Sequence, residues 1–177
     1  MPEGLGCVIL IDQSAASADS RAYLMFQHRL MAASGYLDLG MLADAAAELD
    51  ALSVAERSLP EVAGLRVDIH MAAKEWAPAA ELAARLVVSD PDTSGWWINY
   101  AYCVRRAASI DQAEQILLDA RERHPQEAMI SYTPACYASV TGRLSEAREH
   151  LDLAIALDPA LELLARGDED LAPLREP

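Results

Sequence analysis

Three prolines constrain this chain more than any other feature. Pro91, Pro125 and Pro159 each close a long helical pattern, at equal intervals: 125 − 91 = 34 and 159 − 125 = 34. A fixed interval of this size marks a chain built from stacked units, each a supersecondary element that cannot bury its apolar face alone. The segments before the prolines, KEWAPAAELAARLVVSDP, ASIDQAEQILLDARERHP and GRLSEAREHLDLAIALDP, align without a gap. Ala79, Ala113 and Ala147 fall in register, as do Ala83, Leu117 and Leu151, and then Leu86, Ala120 and Ala154. Trp76, Ile110 and Leu144 stand near the start of each segment. An earlier copy, GYLDLGMLADAAAELDAL, places Gly40, Ala45 and Leu49 at the same relative positions, but Pro60 arrives three residues late.

Each unit reads as two helices. The first ends near Gly40, Lys74, Ala108 or Gly142, where glycine accepts positive φ without steric cost. The second starts at once; in the third unit Ser109 and Gln112 have the spacing of a capping box. The proline then stops it, because proline lacks an N–H and disfavours helical geometry in the residue before it. Recurrent alanine has a geometric reason. Helices joined by a short turn cross at about 8–10 Å, and a bulky side chain at the crossing would hold them apart. Pro134 lies where a first helix is expected, so that helix should start late, near Ser131, or bend there.

With the repeat established, the residues resemble the tetratricopeptide repeat: Trp97 early in a first helix, Ala101 and Ala135 further along, the turn, then alanine, a large apolar residue, alanine and proline. The likeness spans about 21–159. More narrowly, YTPACYASVTGRLSEA is similar to the YNLACY…GR…EA segment of small bacterial tetratricopeptide proteins, and GDEDLAPLREP is similar to their acidic closing segment. Thr133 and Pro134 replace the usual Asn and Leu. The resemblance implies an all-α, right-handed superhelix of about four helix pairs plus a C-terminal capping helix. Its repeats would cover 22–59, 60–93, 94–127 and 128–159, with a cap over 160–177, all in one domain from 21 to 177. Residues 1–20 read as a flexible leader. In the cap, Leu161, Leu164, Leu171 and Leu174 are expected to cover the open end of the stack.

In such a stack the first helices line the concave side. The resemblance therefore implies a partner-binding groove lined by Leu30, Ser34, Leu37, Asp68, Met71, Ile98, Tyr102, Arg105, Arg106, Tyr132, Cys136 and Ser139. Arg105 and Arg106 would meet a partner's carboxylate, unless Asp68 neutralises one of them. Some tetratricopeptide domains clamp the terminal carboxylate of heat-shock chaperones with Lys and Asn residues. The matching positions here are Leu30, Ser34, Leu65, Gly95 and Asn99, so that clamp is not expected. The implied function is a non-enzymatic scaffold that binds a peptide or protein segment. A small acidic export chaperone of the type III secretion kind is the alternative within protein binding.

The remaining residues bear on other classes. The net charge is −14, and Lys74 is the only lysine. Nucleic-acid binding and anionic membranes both require a basic surface, so neither partner is expected. Basic or apolar partners are favoured. The three cysteines, Cys7, Cys103 and Cys136, form no close-spaced pair, which suits neither a disulfide framework nor a zinc site and fits a reducing, cytoplasmic setting. No basic residue precedes Arg21, so GLGCVILID lacks the pattern of a secretory signal. An enzyme would need an activated nucleophile or a paired acid and base. Cys136 has no histidine near it in sequence. Glu146, Glu149, Asp168, Glu169 and Asp170 read as solvated carboxylates. His28, His70, His124 and His150 include no i, i+4 pair, and neither a metal nor a cofactor is expected.

Overall fold

Helix follows helix at the interval the prolines mark. The computed structural model describes residues 13–175, with side chains from residue 20 onward. The elements are α1 (Gln13–Asp38), α2 (Leu42–Asp50), α3 (Val54–Arg57), α4 (Pro60–Ala72), α5 (Trp76–Ser89), α6 (Ser94–Ala107), α7 (Ile110–Arg123), α8 (Ala128–Val140), α9 (Leu144–Leu157) and α10 (Leu161–Gly167), followed by a 3-10 segment over Glu169–Leu174. First helices begin at 60, 94 and 128, and second helices at 42, 76, 110 and 144, all 34 apart. No strand occurs among the described residues. The pairs α1–α2, α4–α5, α6–α7 and α8–α9 pack in chain order, and α10 with the 3-10 segment closes the end. The leader expected over 1–20 lies outside the described residues up to residue 12, as does Cys7; residues 13–20 already belong to α1.

The alanines sit where the crossing argument requires. Ala45, Ala79, Ala113 and Ala147 are fully buried, as are Ala83, Ala120 and Ala154. Leu49 and Leu117 fill the spaces between pairs, at 0% and 1% exposure. Three of the four turns share one device. Gly40, Lys74 and Gly142 have φ of +72°, +60° and +78°. In each, the next residue's N–H bonds to a carbonyl five residues back: Met41 to Tyr36, Glu75 to His70, Arg143 to Ala138, all at 2.8 Å. These are the bonds of a helix closed by a left-handed residue. Lys74 adopts that geometry without glycine's freedom. The third turn is built differently. Ala108 keeps negative φ, and Ser109 accepts from the Gln112 N–H at 3.2 Å. That is half of the expected capping box. The full box occurs at Ser53 and Glu56, opening α3.

Two prolines depart from expectation. Pro60 opens α4 as its first residue rather than ending a second helix, a position where the missing N–H costs nothing. The late arrival is explained by α3, inserted after a shortened α2. Pro134 lies inside α8, which starts at Ala128 and not near Ser131. A proline there removes the bond to Ile130 and costs about 3 kcal/mol. Burial offsets that cost: nine of the helix's thirteen residues are buried. Leu164 is a third departure; it is 49% exposed, and the closing surface comes from Leu161 and Leu171, with Leu174 partly buried against the same cluster.

Gly64, buried in α4, holds the ring of Trp96 against the helix backbone. A Cβ there would lie 2.6 Å from Trp96 Cη2 and 2.8 Å from Cζ3. The indole is tethered, because its Nε1 donates to Asp90 Oδ2 at 3.0 Å. Gly64→Ala gains about 1 kcal/mol of helix propensity, against about 1–3 kcal/mol for overpacking. We expect the variant to melt below wild type by circular dichroism, with a net loss of up to about 2 kcal/mol. A variant more stable than wild type would show that the ring is not held there.

Candidate functional site

The first helices α1, α4, α6 and α8 share one side of the stack, and three cavities open along it. The one nearest the N-terminus, about 410 Å³, is lined by Leu30, Met31, Ser34, Glu61, Gly64, Leu65, Asp68 and Trp96. The next, about 420 Å³, is lined by Leu37, Asp68, Met71, Ala72, Trp76 and Tyr102. The third, about 380 Å³, is lined by Met71, Ile98, Asn99, Tyr102, Arg105, Met129, Tyr132, Thr133, Cys136, Tyr137, Asp168 and Asp170. Asp68 belongs to the first two, and Met71 and Tyr102 to the second and third, so the cavities form one continuous groove. On α4 the lining positions 61, 64, 65, 68, 71 and 72 recur at helical spacing, which is why one helix serves all three cavities.

The structure brings together most of the residues expected in the groove. Leu30, Ser34, Leu37, Asp68, Met71, Ile98, Tyr102, Arg105, Tyr132 and Cys136 all line it. Ser139 does not. It is 1% exposed, one of the residues that pack α8 into the core. Arg106 lies beside the groove rather than in its lining. Its guanidinium stacks 5.5 Å from the Trp76 ring centroid and 5.2 Å from that of Tyr102, whose hydroxyl it meets at 3.3 Å. The two rings meet edge to face at 5.9 Å.

Arg105 is committed within the chain. Its Nη1 donates to Asp170 Oδ2 at 2.7 Å, and its guanidinium lies 4.8 Å over the ring of Tyr137. Burial pulls the Arg105 pKa down; the bond to Asp170 and the negative charge of that carboxylate outweigh it, and the net shift is upward. The 3-10 segment therefore folds across the C-terminal end of the groove. Tyr132 donates its hydroxyl to Asp168 Oδ2 at 2.8 Å, and Cys136 Sγ donates to the same oxygen at 3.6 Å. The stretches YTPACY and GDEDL thus pack against each other.

These contacts define the chemistry of the cysteines. Burial raises the Cys136 pKa well above a free thiol's, and the charge of Asp168, its hydrogen bond and the charge of Asp170 raise it further, outweighing the smaller opposite effect of Arg105. Cys103 is pushed up to about 11, by burial and then by the charge of Asp68. A nucleophilic cysteine needs the opposite environment, a nearby positive charge or base that favours thiolate. Asp68 is raised as well, by burial alone. It has neither a hydrogen bond nor an ion pair among the described residues, so it does not neutralise Arg105 or Arg106.

Sequence reasoning missed Trp76, Trp96, Met129, Asp168 and Asp170 as lining residues. Trp76 opens a second helix, and only first helices were expected to line the groove. The two aspartates lie in a tail whose acidity alone reads as solvent-facing.

No protein-family model matches the chain, and no curated protein matches it in sequence. Solved structures match it in fold. MamA of AMB-1 aligns with TM-score 0.58 and 17% identity over 89% of this chain and 90% of that one. MamA of MSR-1 aligns with TM-score 0.56 and 17% identity over 88% and 93%. A point mutant of MamA aligns with TM-score 0.57 and 17% identity over 89% and 96%. At that identity the likeness bears on the fold, which is a tetratricopeptide-like helical solenoid of four helix pairs with a C-terminal cap. No helix among the described residues is long and apolar enough to cross a membrane.

Proposed function

We propose that the chain is a non-enzymatic scaffold that binds a polypeptide segment in the groove formed by α1, α4, α6 and α8, with residues 21–177 acting as one domain. The carrying observation is the row of three cavities that share lining residues: walls of leucine, methionine, tryptophan and tyrosine, interspersed with polar groups such as Asp68, Asn99 and Arg105. Aliphatic and aromatic walls with sparse polar contacts suit an extended or helical segment with apolar anchors. The buried, acid-flanked setting of Cys136 supports the scaffold over a thiol enzyme. The YTPACY and GDEDL stretches support placing the chain among small bacterial tetratricopeptide proteins.

Tyr102 stands between the second and third cavities and is the expected hot spot. Tyr102→Ala should weaken capture of the native partner by about 2 kcal/mol, roughly thirtyfold, with helix content unchanged by circular dichroism. Affinity purification from the native host followed by titration of the captured protein measures this. Equal binding by the variant would place the interface elsewhere. Capture of one secreted client would turn the reading toward an export chaperone.

A further inference from the structure

We propose that Asp68 anchors a cationic side chain, arginine or lysine, of the segment that the groove binds. This inference deepens the preceding one and rests on it. The case begins with an imbalance. Half-buried carboxylates normally hold a partner, because removing a charge from water is costly unless it is paired. Asp68 is half-buried on α4 and makes no hydrogen bond or ion pair among the described residues. Three arginines of this region are already engaged. Arg66 bonds to Asp50 at 2.7 Å, Arg105 to Asp170 at 2.7 Å, and Arg106 lies over the rings of Trp76 and Tyr102.

The shape of the site argues for a long side chain with a charged tip. Leu37, Met71 and Ala72 give the cavity beside Asp68 an aliphatic wall, fitted to a methylene stem. Asp68 then meets the tip. Two turns earlier on the same helix face, Glu61 adds a second carboxylate to the neighbouring cavity. The chain's net charge of −14 favours approach of a basic segment at every step before contact. The carboxylate's raised pKa has the same origin as its binding capacity, partial burial without a counter-charge.

The test selects peptides from a displayed random library on the full chain. Each selected peptide is then synthesised with its basic residue and with the neutral isostere, citrulline for arginine or acetyl-lysine for lysine. We expect an enriched arginine or lysine flanked by apolar residues, and about a tenfold loss of affinity on neutralising it. Asp68→Asn should abolish that difference. It should also fold at least as stably as wild type, since it removes an unpaired charge; a thermal melt separates lost binding from lost fold. If Tyr102→Ala weakens the peptides but none needs its basic residue, or if Asp68→Asn leaves the charged-to-neutral ratio intact, the Asp68 proposal fails and the groove reading survives. If no peptide binds, or binding ignores Tyr102→Ala, both fail.

Discussion

Replacing Leu171 by alanine is expected to destabilise the protein by about 2–5 kcal/mol, the range for truncating a buried leucine. Leu171 is 1% exposed and packs in the cluster that contains Tyr132, Tyr137, Leu161 and Ala165. The loss should exceed the minimum for such a change because Leu171 seats a whole segment. Asp168 and Asp170, its near neighbours, hold Tyr132 and Arg105, and Arg148 bonds to the Leu174 carbonyl at 3.1 Å. Loosening the segment would also uncover Cys136, so iodoacetamide should label Cys136 faster in the variant than in wild type. Urea unfolding gives the first quantity and mass spectrometry of the labelled protein the second. Leu163→Ala serves as control: that side chain is 76% exposed, and the change should fall within about 0.5 kcal/mol. Equal losses for the two variants would mean that the 3-10 segment does not close the stack.

The architecture was legible because a solenoid repeats its contacts. Each helix meets its sequence neighbours, so the constraint on one crossing reappears 34 residues later, and Ala79, Ala113 and Ala147 record it three times. Where a contact occurs once, no repetition betrays it. Asp170 reaches Arg105 across 65 positions and Asp168 reaches Tyr132 across 36. By composition those aspartates match any solvated acidic tail. The groove shows the same division. The resemblance to tetratricopeptide stacks implied that Leu37, Asp68, Met71, Ile98 and Tyr102 share one side, and all five line its cavities. A resemblance does not show what lies across a residue, and it gave Arg105 and Arg106 one role. The cap takes the first and two aromatic rings take the second. Ser139 was misplaced for a related reason: α8 is enclosed by α9 and the returning cap, and a helix covered on several sides leaves little of itself to the groove. Pro60 shows the limit of a local rule, since the residue that ends one helix is equally suited to begin another.

The alanine stripe permits a test within a single helix. Ala77 and Ala79 are two residues apart in α5, and leucine at either position has nearly the helix propensity of alanine. Their surroundings differ: Ala77 is exposed, and Ala79 is fully buried among Val67, Ala83, Leu86 and Cys103. At Ala77 the added isopropyl group extends into solvent, and the change should stay within about 0.5 kcal/mol. At Ala79 it must enter the crossing of α4 and α5. Interiors packed to crystal density have no space for three more carbons, so either side chains leave their rotamers or the helices separate. We expect a loss of about 3 kcal/mol, the upper part of the overpacking range, because a parting of one pair is felt by the pair stacked on it. For a chain of this length that lowers Tm by roughly 6–12 °C. Differential scanning calorimetry on the two variants decides the matter. Matching melting temperatures would show that close approach at alanine is not what sets the spacing of the helices.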